Sequence, residues 1–335
     1  MSFGLSFWVS IIAVAVLILI AFFGVGAAHL NYLFGVIIPY AAFAFFILGI
    51  IYRVLKWAAR PVPFRIPTTA GQQKSFTWIK QNKIDNPSTA LGAMVRMAFE
   101  VLLFRSLFRN TRSELQSSGP RLAYASSKWL WVAALAFHYS FLIILLRHLR
   151  LFTEPVLTFV NSIEKMDSFF QVWVPLLYIT DLVLIGAVIY LLLRRILIPH
   201  MRYISLPADY FPLFLILSIG ITGVLMRYFF KVSVVDVKQL TTGLISFNPV
   251  IPKGIGVLFY IHLFLVSTLF AYFPFSKLTH MAGVFLSPTR NLANNNRMER
   301  HVNPWNYPVK VHTYEEYEDH YREFMKDAGI PVEKE

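Results

Sequence analysis

The 335-residue chain contains no cysteine. That absence excludes disulfides, thiolate zinc sites, iron–sulfur ligation and c-type haem attachment together. Any redox metal held here must therefore rest on histidine or methionine. Charge is scarce as well, at 15% of residues, against about 25% in soluble domains. Acids are the scarcer sign, with 18 Asp and Glu facing 31 Lys and Arg for a net charge of +13. Hydrophobic residues make up 56% of the chain and aromatics 16%, with 31 phenylalanines. A disordered chain needs low hydrophobicity, and a soluble globular enzyme is far less apolar. The basic excess raises nucleic acid as a partner, but in so apolar a chain it marks cytoplasmic loops instead. No nucleic acid is expected. The composition is that of an integral membrane protein.

Six stretches meet the roughly 20 apolar residues that a bilayer-spanning helix requires: 7–28, 34–52, 129–146, 172–193, 210–226 and 255–275. None contains Lys, Arg, Asp or Glu except for Asp181 in the fourth. The first lacks the basic flank and the small-residue cleavage site of a signal peptide. The expected fold is therefore all-α, a polytopic membrane bundle of six transmembrane helices. Its parts are two N-terminal helices (1–57), a basic loop (58–125), a four-helix region (126–290) and a polar tail (291–335).

The loops orient this bundle. The connection after the second stretch carries ten basic residues, among them Arg60, Arg65, Arg96, Arg105 and Arg109, against Asp85, Glu100 and Glu114. Arg194, Arg195 and Arg202 follow the fourth stretch, whereas the connection after the first has no charge. Basic loops stay inside, which places both termini in the cytoplasm of a multi-pass protein of the cell membrane. Within the long loop, residues 91–108 read as an amphipathic helix lying in the interface or packed on a partner subunit. In the tail, 314–326 (YEEYEDHYREFMK) is acidic and helix-prone.

Four of the nine histidines stand in or beside the spans. His138 and His148 belong to the third, and His262 and His280 to the sixth region. Taken singly, each reads more readily as a satisfied interior residue, but two pairs on two helices point to ligands. Ten residues of helix separate His138 from His148 by about 15 Å and 80° of azimuth. Eighteen residues separate His262 from His280 by about 27 Å and five whole turns in a straight helix. Pro274 either kinks that helix or ends it. Because the third span runs outward and the sixth inward, His148 pairs with His262 outside and His138 with His280 inside. Zinc prefers cysteine or carboxylate in its set, and the spans offer one acid. Haem b needs only two axial residues and an apolar cleft. Two haems b are the reading, with propionates facing Arg147, Arg150 and Arg227 outside, and Lys277 and Arg290 inside.

The stretch IHLFLVSTLFAYFPFSKLTHMAGVFLSP (261–288) resembles the last helix of the respiratory nitrate reductase gamma subunit family, with two haem-ligating histidines around an FPFS-K-x-x-H block. FHYSFLIILLRH (137–148) is similar to the other ligand helix of that family. The resemblance is strongest over about 125–290 and departs from the five-span gamma subunits by an extra N-terminal span and the long basic loop. The segment PADYFPLFLILSIGITGVLMRY (207–228) also looks like the DsrM-type membrane cytochrome b of sulfite-reduction-associated complexes, a type shared with archaeal menaquinol-oxidising, heterodisulfide-reductase-like complexes. The resemblance implies a di-haem cytochrome b that takes electrons from menaquinol. The implied acceptor is a cytoplasmic iron–sulfur subunit related to heterodisulfide reductase, in sulfate or sulfite respiration. It also implies a periplasmic multihaem cytochrome c, an iron–sulfur protein and a second membrane subunit. A chain without cysteine fits that division of labour.

Quinol oxidation near the outer pair needs a proton acceptor within hydrogen-bond reach. His148, Glu164, Lys165 and Asp236 are the candidates, although loop charges more often face solvent. Asp181 either relays a proton or anchors an internal hydrogen-bond network, and the second is favoured. Alternatives from other classes are a nitrate reductase gamma subunit, a membrane anchor or a transporter. A transporter would show inverted repeats, which the sequence lacks.

Overall fold

The computed structural model describes residues 3–60, 62, 65, 66, 68, 70–116, 119, 121–168, 176–298 and 310–334. Helices form wherever apolar runs leave backbone groups no partner but one another. The first is α1, Phe3–Gly26. A π-helical turn at Leu33–Ile37 leads into α2, Ile38–Ala58, with Pro39 in its first turn. The basic loop holds α3 (Ala90–Leu103) and α4 (Arg105–Phe108). Then come α5 (Lys128–His148), α6 (Thr158–Asp167), α7 (Ile179–Leu197) and α8 (Pro199–Ile204). The helix α9 (Pro207–Val224) continues into a second π-helical turn, Leu225–Phe229. Last are α10 (Val234–Ile245), α11 (Val257–Tyr272), α12 (His280–Gly283) and α13 (Tyr314–Asp327).

Five of these segments are long and apolar enough to cross a membrane: Gly4–Gly26, Leu33–Ala58, Lys128–Leu151, Pro207–Phe229 and Val257–Phe275. The stretch expected at 172–193 differs. Residues 172–175 lie outside the described residues, as does Pro175 with them, and α7 begins only at Ile179. It runs 19 residues and carries Asp181, Arg194 and Arg195, so its ends are more polar than those of the other five.

Packing centres on α9 and α11. Helix α1 packs on both, α2 on α11, α7 on α9, and α5 on α7. The buried face of α1 is a stripe of small residues, Ser6, Ser10, Val14, Ala21 and Val25, at the three- and four-residue spacing that lets backbones approach closely. Ser10 Oγ donates to Ser6 O at 2.8 Å and also reaches Pro207 O at 3.2 Å, tying α1 to the start of α9. Tyr210, Leu215, Leu240, Tyr260 and Leu265 are fully enclosed. Trp8, Leu48 and Leu55 point outward, as lipid-facing side chains do where the solvent is itself apolar.

Two expectations are corrected and one open alternative is decided. The chain is not purely α-helical: the strands Thr111–Gln116 and Arg121–Ser126 pair antiparallel in the basic loop. The amphipathic segment is two helices, broken where Phe104 adopts a left-handed conformation (φ 48°, ψ 48°). Of the two outcomes open at Pro274, the structure shows the second: the sixth apolar helix ends before His280. Pro274 falls in a 3₁₀ turn, Phe273–Phe275, and Ser276 is extended before His280 opens α12.

The basic loop folds back on the segment after α12. Arg96 and Glu100 of α3 are buried and face it, with Arg96 Nη1 donating to Thr289 O at 3.2 Å. Asn294 Nδ2 donates to Asn86 Oδ1 at 2.7 Å, and Asn294 N to Pro87 O at 2.7 Å. The opposite face of α3 exposes Leu91, Met94 and Leu102, so its apolar side turns away from the protein. At the centre of the loop, Asp85 accepts from Arg105 Nε at 2.6 Å, from Arg109 and from Asn82. Burial pushes its carboxyl up, but the hydrogen bond and charge of Arg105, with Arg109 and Asn82, outweigh that and hold it below 3.8. Its contribution to stability is therefore fully present above pH 3.8 and is lost as pH falls through the lower folded value. Hydrogen exchange of residues 80–110 is expected to accelerate on acidification, and Asp85→Asn to show the same acceleration already at neutral pH. Equal exchange in variant and native protein at neutral pH would refute this role.

Candidate functional site

The break at Pro274 brings the sequence-singled histidines together. His138, in the middle of α5, and His280, at the start of α12, have ring centroids 5.9 Å apart and planes at 86°. Two metal–imidazole bonds of about 2.0–2.1 Å, plus two ring radii, span roughly 6–6.5 Å between centroids. The separation thus matches two rings on opposite sides of one metal. Phe104 and Phe137 each stand edge-on to His138 at 4.9 Å. His148, the last residue of α5, and His262, in α11, lie near enough to interact electrostatically. Helix α5 packs on α7 while α11 packs on α9, and no extended backbone contact joins α5 to α11. The outer pair thus spans α5 and α11 and the inner pair α5 and α12.

The protonation pattern is the same at all four. His138 Nδ1 lies 2.7 Å from Ala134 O, His148 Nδ1 2.7 Å from Ile144 O, and His280 Nδ1 2.9 Å from Lys277 O. A carbonyl only accepts, so each Nδ1 carries the proton. His262 Nδ1 lies 2.9 Å from Thr222 Oγ1. That hydroxyl already donates within α9, to Ser218 O at 2.8 Å or Ile219 O at 3.0 Å, so it accepts from the imidazole. Each ring is left with an Nε2 lone pair, and no described residue hydrogen-bonds it. An Nδ1–H held by an oxygen is how proteins orient a metal-ligating histidine and raise its basicity. The donor set fits two bis-imidazole sites. It fits no metal of higher protein coordination: the described residues contain no cluster of three or more His, Asp and Glu.

Beside His148 lies a buried ionic cluster. Arg147 pairs through Nε with Asp167 at 3.1 Å and through Nη2 with Asp181 at 2.5 Å. Asp167 accepts from the backbone N and Oγ1 of Thr180 at 2.9 and 2.6 Å. Tyr228 OH donates to Asp181 at 3.1 Å and accepts from Tyr178 N at 2.9 Å. The guanidiniums of Arg147 and Arg227 lie over the Tyr178 ring, 3.7 and 4.0 Å from its centroid. Two arginines balance two aspartates, so the cluster is neutral and joins α5, α6, α7 and the π-turn after α9. The hydrogen-bond network favoured for Asp181 is what the structure contains.

The remaining sequence candidates are distributed around this core. Arg150 holds both oxygens of Glu164 at 2.8 Å. Lys165 is exposed. Asp236 sits in the first turn of α10, its backbone N bound to Ser233 Oγ at 3.3 Å, and its carboxylate presses on Gly254. Lys277 donates to Asp209 at 2.7 Å, a carboxylate shared with Arg195 at 3.7 Å. Arg290 faces Glu100 at 3.9 Å. Sequence reasoning missed Thr222, Asp167, Thr180, Tyr178 and Tyr228. Their only signal is polarity near span ends, which many solvated residues share.

Similarity to known proteins agrees with this geometry. Residues 93–300 match the nitrate reductase gamma subunit family. The chain is 46% identical over 280 residues to the Hdr-like menaquinol oxidoreductase cytochrome b-like subunit of Archaeoglobus fulgidus, covering 82% of this chain and 83% of that one. It is 45% identical over 275 residues to the protein of the same description from Archaeoglobus profundus, covering 80% and 81%. The aligned lengths make these relatives comparable in extent to the chain itself.

Proposed function

Because the chain belongs to the nitrate reductase gamma subunit family, we propose that it is the di-haem cytochrome b subunit of a membrane complex that oxidises menaquinol. The observation that carries this reading is the shared state of the four histidines, each with Nδ1–H engaged and Nε2 left for a metal. His148 and His262 hold one haem and His138 and His280 the other. Haem b, when bound, supplies one-electron carriage between quinol and acceptor. The protein orients the imidazoles through Ile144, Ala134 and Lys277 carbonyls and the Thr222 hydroxyl. Phe104 and Phe137 wall the inner pair with apolar surface.

On this reading α7 crosses the bilayer as a sixth span, its buried Asp181 neutralised by Arg147. The basic loop and Arg194, Arg195 and Arg202 then place both termini in the cytoplasm. Menaquinol meets the outer end of the bundle, where His148 adjoins the ionic cluster. Glu164, held by Arg150, and Asp236 are the carboxylates there that accept a proton; Lys165, exposed, contributes charge. Arg147, Arg150 and Arg227 supply the positive charge for outer propionates beside the groups they already hold; inside, Lys277 and Arg290 serve. Electrons leave to a cytoplasmic iron–sulfur subunit related to heterodisulfide reductase, in sulfate or sulfite respiration. A periplasmic multihaem cytochrome c, an iron–sulfur protein and a second membrane subunit complete the complex.

Colour tests the reading most directly. The purified full chain, expressed with ample haem, is expected to show reduced-minus-oxidised b-type bands and two haems per chain by the pyridine assay. A colourless preparation would sink the redox reading, and one haem per chain would sink the double site.

A further inference from the structure

A cavity of about 570 Å³ opens between the end of α2 and the segment that follows His280, lined by Lys56, Trp57, Arg60, Gly283, Leu286 and Ser287. It includes none of the four histidines, and among the described residues no acidic one lines it. Gly283 leaves room beside the Trp57 indole, where an added Cβ would stand in ordinary contact at 3.5 Å. Arg53 stands over the same ring, with its guanidinium 5.4 Å from the centroid and a buried Nε that has no hydrogen-bond partner among the described residues. Lys56 lies 5.8 Å from the centre of the Tyr52 ring.

The order of residue types along α2 identifies the ligand. Leu48, Tyr52 and Leu55 are exposed at positions i, i+4 and i+7, one ridge of the helix. Continuing along that ridge come Lys56 and then Arg60, just past the helix end at Ala58. The sequence of environments is apolar, aromatic, basic. That is the order of acyl chain, glycerol region and phosphate in a phospholipid, and Trp and Tyr favour the middle zone. Basic pockets between helices at the cytoplasmic edge bind anionic head groups. Exposed Phe285 and Leu286 continue the apolar wall on the opposite side.

We propose that this cavity is a binding site for the phosphate of an anionic phospholipid, held by Lys56 and Arg60 with its chains along the outer ridge of α2. The basic wall of the site, on α2, precedes the stretch that matches the gamma subunit family at 93–300, while its other wall, Gly283, Leu286 and Ser287, lies within that stretch. General attraction of a basic loop to an anionic leaflet would place no lipid at one location; this cavity does.

The test uses the full chain in nanodiscs of mixed phosphatidylglycerol and phosphatidylcholine, with retained lipid counted by native mass spectrometry after transfer to detergent. The intact chain is expected to keep one phosphatidylglycerol and no phosphatidylcholine. Lys56→Gln with Arg60→Gln is expected to weaken retention roughly 30-fold, since each basic residue near an anionic surface contributes roughly fivefold. Lys80→Gln with Lys83→Gln, which removes equal charge elsewhere in the same loop, should leave it unchanged. Lys56→Arg with Arg60→Lys should keep the lipid, which separates lost charge from lost folding. Haem content, read alongside, should be the same in every variant. Equal retention by the glutamine pair, or equal loss in the control pair, would overturn the site. Displacement by millimolar inorganic phosphate would overturn the lipid assignment in favour of a free anion. Loss of a protein partner with lipid retained would show the basic pair to be a docking surface and would equally overturn it.

Discussion

Changing His280 to alanine is expected to leave one haem b per chain against the two expected of the intact protein, with a single reduction step in a redox titration. The expectation follows from the 5.9 Å approach of His138 and His280, which under the proposed function pairs the two rings on one iron. His138→Ala must therefore remove the same haem and leave the same residual spectrum. His148→Ala and His262→Ala must form a second matching pair, with the other reduction step missing. If His280→Ala instead matched His148→Ala or His262→Ala, the pairing would be wrong. If it kept both haems, His280 would be no ligand at all. Thr222→Val provides a finer measurement. It removes the oxygen that fixes the His262 tautomer, and such outer partners typically change metal affinity 10–100-fold. The step assigned to the His148/His262 haem should shift or lose occupancy, the other should not, and Thr222→Ser should restore it.

The largest stability effect is expected at Arg147. It is 7% exposed and is the counter-charge to both Asp167 and Asp181. Arg147→Leu leaves two carboxylates in a nearly closed, apolar setting, and breaking a buried pair in this way costs about 3–5 kcal/mol. The Tyr178 ring also loses one of its two cations. Thermal unfolding in detergent, followed by loss of the haem Soret band, should move to clearly lower temperature. Arg147→Lys should fall between, because one ammonium cannot reproduce the planar fork that reaches two acids. Adding Asp181→Leu to Arg147→Leu should recover part of the loss by removing one stranded charge. Unchanged unfolding in Arg147→Leu would mean that the cluster does not hold α5, α6 and α7 together.

The balance between pattern and packing differs from element to element. The long runs in α1, α2, α5, α9 and α11 were legible because a bilayer leaves such residues one solution, a self-satisfied helix. The four histidines were legible because imidazole is out of place in such runs. The hairpin at Thr111–Gln116 and Arg121–Ser126 was not, since its polar strands lack strong alternation and its place in the basic loop hid it among charges. The bend after Tyr272 stood in the sequence only as two possibilities for Pro274. A straight helix would have set His280 about 27 Å from His262, against only about 15 Å between the α5 histidines, and the extended Ser276 removes that mismatch.

Composition and hydropathy were enough to establish a membrane protein that lacks thiol chemistry and to single out four imidazoles in or beside its apolar runs, because these follow from residue type and local period. Which oxygen holds His262 Nδ1 and which acids neutralise Arg147 depended on helices distant in sequence. Thr222 is 40 residues from His262, and Asp181 is 34 from Arg147. Such pairings arise when helix faces pack, and the energy of a buried charge is set by neighbours that no local window contains.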